Sequence, residues 1–116
     1  MKSPITTHVL DTANGYPAKG IEVVLERKNS DGEWAELARG TTNDDGRITD
    51  WLPTDKAADI GVYRVTFLVE PYLKSQNAPE IFYSEIPVIF HLNSPTIHYH
   101  IPLLLNPFGY ATYRGS

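Results

Sequence analysis

The chain has 116 residues, 41% hydrophobic and 21% charged, with a formal net charge of −4. That length suits one domain with a real core, and the acidic balance argues against a nucleic-acid binder, which shows a basic face. No apolar run is long enough to cross a membrane as a helix, and the lack of cysteine excludes disulfides and zinc sites built on thiolate.

The opening "MKSPITTHVL" carries one lysine and no apolar h-region. No secretory signal is expected, and the cytoplasm is the expected compartment. "ITTHVLD" (5–11) alternates in the manner of a strand, and "NGYPAKG" after it is rich in turn residues. "IEVVLERK" (21–28) and "EWAELARG" (33–40) flank "NSDG", which predicts a hairpin. "NDDGR" (43–47) is a second tight turn, with Gly46 free to take positive φ. "VYRVTFLVE" (62–70) is the plainest strand, with Tyr63, Val65, Phe67 and Val69 on one face.

"PYLKSQNAP" (71–79) predicts one short helix, with Pro71 at its start and Pro79 beyond its end. "EIPVIFHL" (85–92) and "TIHYHIPLLL" (96–105) read as strands, and "NPFG" turns the chain into a last strand, "YATYRGS". About eight strands in this length predict an all-β, antiparallel sandwich or barrel. No internal repeat or linker interrupts residues 1–116, so one domain is expected.

Side chains alternate between the two faces of a strand. In 96–105 the odd positions Ile97, Tyr99, Ile101, Leu103 and Leu105 form an apolar set that should face the core. Thr96, His98, His100, Pro102 and Leu104 then share the opposite face. The first strand divides likewise, with Ile5, Thr7 and Val9 inward and Thr6, His8 and Leu10 outward. An outer face that mixes histidine with Leu10, Pro102 and Leu104 predicts a subunit contact or a cleft.

Three readings of His98 and His100 stay open on this pattern. They can be polar surface residues. They can be two ligands of a metal, with His8 arriving as a third. Or they can serve metal-free acid–base catalysis, since histidine titrates near neutral pH. The third reading needs a partner for substrate charge, and Arg47 after the "DDG" turn is the candidate; its bland alternative is a solvated turn residue.

"HVLDTANGYPAKG" near the start, "DDGR" in the middle and "HYHIPLLLNPFGYATYRGS" at the end resemble the 5-hydroxyisourate hydrolases, the transthyretin-related enzymes of urate breakdown. The resemblance runs from residue 5 to residue 116. Its most specific part is the ending Tyr113, Arg114, Gly115 and Ser116, which transthyretin lacks. At the positions of His8, Arg47 and His100 transthyretin carries lysine, glutamate and threonine, so the resemblance is to the enzyme rather than the hormone carrier. Asn106 and Ala111 stand where serine is common in the family.

The resemblance implies a transthyretin-like sandwich of two four-stranded sheets with one short helix. It implies a homotetramer, a dimer of dimers, with active sites at the dimer–dimer interface, and a small-molecule substrate, 5-hydroxyisourate. Neither cofactor nor metal is implied, nor any nucleic-acid or membrane partner. Catalytic roles fall on His8, Arg47, His100 and Ser116. Contacts to the substrate fall on His8, Arg47, Tyr113, Arg114 and His98. The rival function is a carrier of a small aromatic ligand in a central channel, lined by Leu10, Pro102 and Leu104; a purely structural sandwich would leave the polar cluster unexplained.

Overall fold

The structure, a computed structural model, describes residues 3–54 and 56–115. Nine strands and one helix follow in order: β1 (Ile5–Asp11), β2 (Tyr16–Pro17), β3 (Glu22–Lys28), β4 (Trp34–Thr41), β5 (Arg47–Ile48), β6 (Gly61–Leu68), α1 (Glu70–Ser75), β7 (Ile86–Leu92), β8 (Tyr99–Asn106) and β9 (Gly109–Thr112). One sheet runs β4-β3-β6-β7; the other runs β2-β1-β8-β9, with β5 also paired to β1. The expected two-sheet sandwich with one short helix is therefore present. Its second sheet gains a fifth member because β2 and β5, two residues each, share the outer edge of β1. Among the described residues no helix is long and apolar enough to cross a membrane.

Period-two alternation builds the core between the sheets. Tyr63, Val65 and Phe67 of β6 meet Val23 and Leu25 of β3 and Ile5 and Val9 of β1 in one buried cluster. Tyr99, Ile101, Leu103 and Leu105 enter it from β8, as their odd numbering predicts. Ile97 does not: it is 44% exposed, because β8 begins at Tyr99 and the alternation has no ladder to hold it before that point. Tyr63 stacks on Phe90 with ring centroids 5.9 Å apart, and Phe90 on Tyr99 at 6.3 Å, so aromatic rings bridge the two sheets. At the other end, Tyr72 of α1 donates its hydroxyl proton to Asp11 Oδ2 at 2.6 Å, pinning the helix to the end of β1. Burial alone would raise the Asp11 carboxyl, but the bonds from Tyr72 and Asn14 outweigh it and hold the group below its ordinary range.

One pairing departs from the antiparallel expectation. β1 and β8 lie parallel, in register from Ile5 opposite Tyr99 to Asp11 opposite Leu105. Hairpins must be antiparallel because a short turn reverses the chain. This pair joins segments from opposite ends of the sequence, so no local turn dictates its direction. The remaining long strands pair antiparallel.

Pro102 shapes the far edge of that sheet. β8 and β9 pair from Leu103–Thr112 to Asn106–Gly109, and the same register resumes at a single bridge between His100 and Gly115. Gly115 N–H donates to the His100 carbonyl at 2.9 Å, so hydrogen-bonded pairs fall at 100/115 and, two residues on, at 102/113. A proline cannot donate there. The ladder breaks at Tyr113 and Arg114, and the Thr112 hydroxyl donates to the Pro102 carbonyl at 2.7 Å instead.

The turn before β5 depends on glycine. Gly46 takes φ +74°, and a Cβ there would lie 2.4 Å from the Val9 carbonyl oxygen, which no side-chain rotation relieves. Gly46→Ala should therefore cost at least about 1–2 kcal/mol from the backbone conformation alone, more with the clash. Urea unfolding of the two proteins measures this, and equal midpoints would contradict it.

Candidate functional site

The outer face of the β1–β8 pair gathers the polar residues. Because the register sets Thr6 opposite His100 and His8 opposite Pro102, side chains from the two strands interleave on one surface. His8 and His100 have ring centroids 6.5 Å apart, tilted by 36°. His98 and His100 lie nearly parallel with centroids 6.4 Å apart. Both rings reach the same atom: Thr6 Oγ1 is 2.8 Å from His98 Nε2 and 2.8 Å from His100 Nδ1.

Arg47 arrives by a different route. The turn is closed by Asn43, whose side-chain oxygen accepts the backbone N–H groups of Asp45 at 2.9 Å and Arg47 at 3.0 Å. Gly46 accepts the Val9 N–H at 2.8 Å, which docks the turn on β1 and sets Arg47 directly opposite His8. The electrostatic consequence falls on His8. Partial burial lowers its pKa first, and the Arg47 charge lowers it further; a hydrogen bond to the Asp45 backbone and the Asp45 carboxylate pull the other way and lose. His8 is thereby held neutral, as an acceptor of protons, around neutral pH.

The C-terminal stretch closes over His100. A Cβ on Gly115 would come within 2.5 Å of His100 Cδ2 and 3.2 Å of Cγ, so the backbone lies against the imidazole where only glycine fits. Tyr113 and Arg114 behave differently. Tyr113 is 59% exposed, and the Arg114 guanidinium sits over the Tyr99 ring, 5.0 Å from its centroid. Tyr99 points into the sandwich while its neighbours His98 and His100 point out, so Arg114 lies on the opposite side of β8 from the histidines. With Val88, Phe90, Ile101 and Tyr113 it lines a cavity of about 160 Å³ at the β7–β9 edge.

Of the residues singled out in the sequence, the structure thus brings together His8, Arg47, His98 and His100, and turns Arg114 to the other side of β8, while Tyr113 is largely exposed. Ser116 lies outside the described residues. Thr6, given no role by sequence reasoning, turns out to hold two of the histidines. The signal for it was its position two before His8 in "TTH", but only the β1–β8 register reveals what it faces. The half-buried Leu10 and Leu104 flank the cluster, as the mixed outer face suggested. Among the described residues no group of three or more His, Asp or Glu side chains is placed to share a metal ion. Chemically, an imidazole held neutral beside a guanidinium, as His8 is beside Arg47, can take a proton from water while the cation stabilises developing negative charge.

Comparison with known proteins places the chain in a family. The chain is 48% identical to a 5-hydroxyisourate hydrolase of Salmonella dublin over 112 residues, covering 97% of this chain and 80% of that one. Among solved structures, the 5-hydroxyisourate hydrolase of Klebsiella pneumoniae superposes with a TM-score of 0.82 at 30% identity, over the full length of both chains. Sea bream transthyretin in complex with thyroxine superposes with a TM-score of 0.88 at 32% identity, over 97% of this chain and 94% of that one. The pattern of the HIUase/Transthyretin family matches residues 5–115, and the chain is a member of that family.

Proposed function

We propose that this protein is a 5-hydroxyisourate hydrolase, a cyclic amide hydrolase that works without a cofactor. The observation that carries the reading is the pair of imidazoles 6.5 Å apart, His8 and His100, with Arg47 opposite His8 in the sheet. The similar proteins named as 5-hydroxyisourate hydrolases support it. The substrate is a flat, polar, oxidised purine. Water attacks the carbonyl carbon of its N1–C6 amide, the C6–N1 bond breaks, and the product is 2-oxo-4-hydroxy-4-carboxy-5-ureidoimidazoline. His100, with His8 beside it, takes the proton from the attacking water and returns one to the leaving nitrogen. Arg47 presents a planar fork of donors to the carbonyl oxygen or the anionic ring.

The remaining residues serve this centre. Tyr113 holds the purine ring, Ser116 orients a histidine or the water, and His98 borders the mouth of the cleft. Arg114, seated over Tyr99, contributes to substrate binding by holding the terminal stretch in place. The working form is a homotetramer, a dimer of dimers, whose dimer–dimer contact closes the cleft over the outer face of β1 and β8. The half-buried Leu10 and Leu104 beside the histidines fit such a covering. A carrier role, as in the sea bream protein bound to thyroxine, would have to place an apolar ligand against His8, Arg47 and His100.

Freshly made 5-hydroxyisourate separates the two readings: the protein should hasten the loss of its ultraviolet absorbance, and a carrier would leave the decay unchanged. In the same assay His100→Asn should lower turnover by about 10²-fold; a rate near that of the parent would remove His100 as the base. Dialysis against a chelator should leave the rate as it was, whereas inactivation reversed by added zinc would restore the metal reading.

The state of His8 can be followed directly. Its folded pKa lies below the ordinary 6.5, so the unfolded chain binds a proton before the folded one does. His8 therefore destabilises the fold as pH drops from about 6.5 towards the folded pKa, and contributes no further slope below it. An NMR titration of the His8 ring should give a midpoint below 6.5 that rises in Arg47→Gln, since the second cause of the depression is removed. An unchanged midpoint in that variant would show the guanidinium to be electrostatically remote.

A further inference from the structure

The Thr6 hydroxyl has a single proton and two imidazole neighbours. It is buried, 1% exposed, and among the described residues its oxygen has His98 Nε2 and His100 Nδ1 at 2.8 Å each. A hydroxyl offers one proton and two lone pairs. With both rings neutral, it accepts an N–H from one ring and donates its own proton to the other. If it accepts from His100 Nδ1–H and donates to His98 Nε2, each ring carries its proton on Nδ1. If it accepts from His98 Nε2–H and donates to His100 Nδ1, each ring carries its proton on Nε2. Either way the two tautomers are the same.

We infer that His98, Thr6 and His100 form one proton-coupled unit, in which the Thr6 hydroxyl locks both imidazoles into a common tautomer and passes a proton between them during turnover. This rests on the hydrolase reading proposed above, with Thr6 and His98 as positioning residues behind His100. In the Nδ1–H arrangement, Nε2 of His100 is the basic nitrogen. When it takes a proton from the attacking water, the water O–H bond breaks and the Nε2–H bond forms. The Nδ1 proton crosses to Thr6 Oγ1 as the hydroxyl proton moves to His98 Nε2, so the positive charge comes to rest on His98. The opposite shift returns the Nδ1 proton to His100 as Nε2 delivers its own to the leaving nitrogen.

The layout of the sheet gives that transfer a direction. Arg47 is opposite His8, and His8 is opposite Pro102. His100 is two residues from Pro102 and His98 four, so charge on His98 sits farther along the strand from the guanidinium than charge on His100. Moving the charge outward lowers its repulsion with Arg47. A hydroxyl is suited to the task because donor and acceptor roles exchange with only a small rotation.

The test uses two replacements of Thr6 and one spectrum. Thr6→Ser keeps the hydroxyl and loses a buried methyl; Thr6→Val keeps the shape and loses the hydroxyl. The relay requires kcat of Thr6→Ser to stay within about threefold of the parent, while Thr6→Val loses about 10- to 100-fold in kcat with KM little changed. A Thr6→Val protein with near-normal kcat, or a serine variant as slow as the valine one, overturns the relay. Nitrogen-15 spectra of the unsubstituted protein, which need no variant to fold, should show His98 and His100 as the same neutral tautomer; opposite tautomers overturn the lock. Should the unsubstituted protein fail to hasten 5-hydroxyisourate loss, the hydrolase reading falls by itself, and the tautomer spectrum still decides the hydrogen-bonded unit.

Discussion

The parallel pairing of β1 with β8 is the constraint on which the site depends. It holds Thr6 beside His100 although the two are 94 positions apart in the chain. Side chains in a sheet repeat every two residues, so a slip of one position would send an entire outer face into the core and the core into solvent. Ile5, Val9, Ile101, Leu103 and Leu105, all buried, make that slip prohibitive. The apolar side of the pair thereby fixes the register, and the register in turn fixes the spacing of the imidazoles. The polar cluster needs no contribution of its own to stability in order to be well placed.

Electrostatics then separates the two histidines. His8 lies where burial and Arg47 together outweigh Asp45, and this favours its neutral form. His100 has its Nδ1 against Thr6 and its carbon edge against Gly115, so its orientation is constrained from two sides. The two rings, chemically identical, thus sit in different surroundings: one is tuned by a cation, the other is oriented by a hydroxyl and a glycine backbone.

Much of this was legible from alternation. "ITTHVLD" forms β1 over the expected residues, Tyr63, Val65 and Phe67 face inward together, and the inward set of β8 is right from Tyr99 to Leu105. It failed at Ile97, where an alternating pattern extends past the end of the ladder. The strands β2 and β5 were invisible because two residues carry no periodicity. The direction of the β1–β8 pair was equally hidden, since pairing between distant segments leaves no turn signature. His8, Arg47, His98 and His100 could be named individually; that Thr6 joins two of them required knowing which strand neighbours which.

The C-terminal stretch shows how one residue can divide a motif. Read as a continuing strand, Tyr113, Arg114 and Gly115 would alternate sides in a regular ladder with β8. Pro102 withholds the N–H that such a ladder needs opposite Tyr113, and the strand ends at Thr112. The chain still returns to register at Gly115, held by its bond to the His100 carbonyl. Between those two points Arg114 turns to the inner side and caps Tyr99, itself tied through its hydroxyl to the backbone of Asn93 and Ser94. The arginine therefore braces the sheet from behind while the glycine meets the imidazole in front. A proline in an interior strand, costly to the ladder, ends β9 at Thr112, and Arg114 and Gly115 beyond it still meet opposite faces of the same sheet.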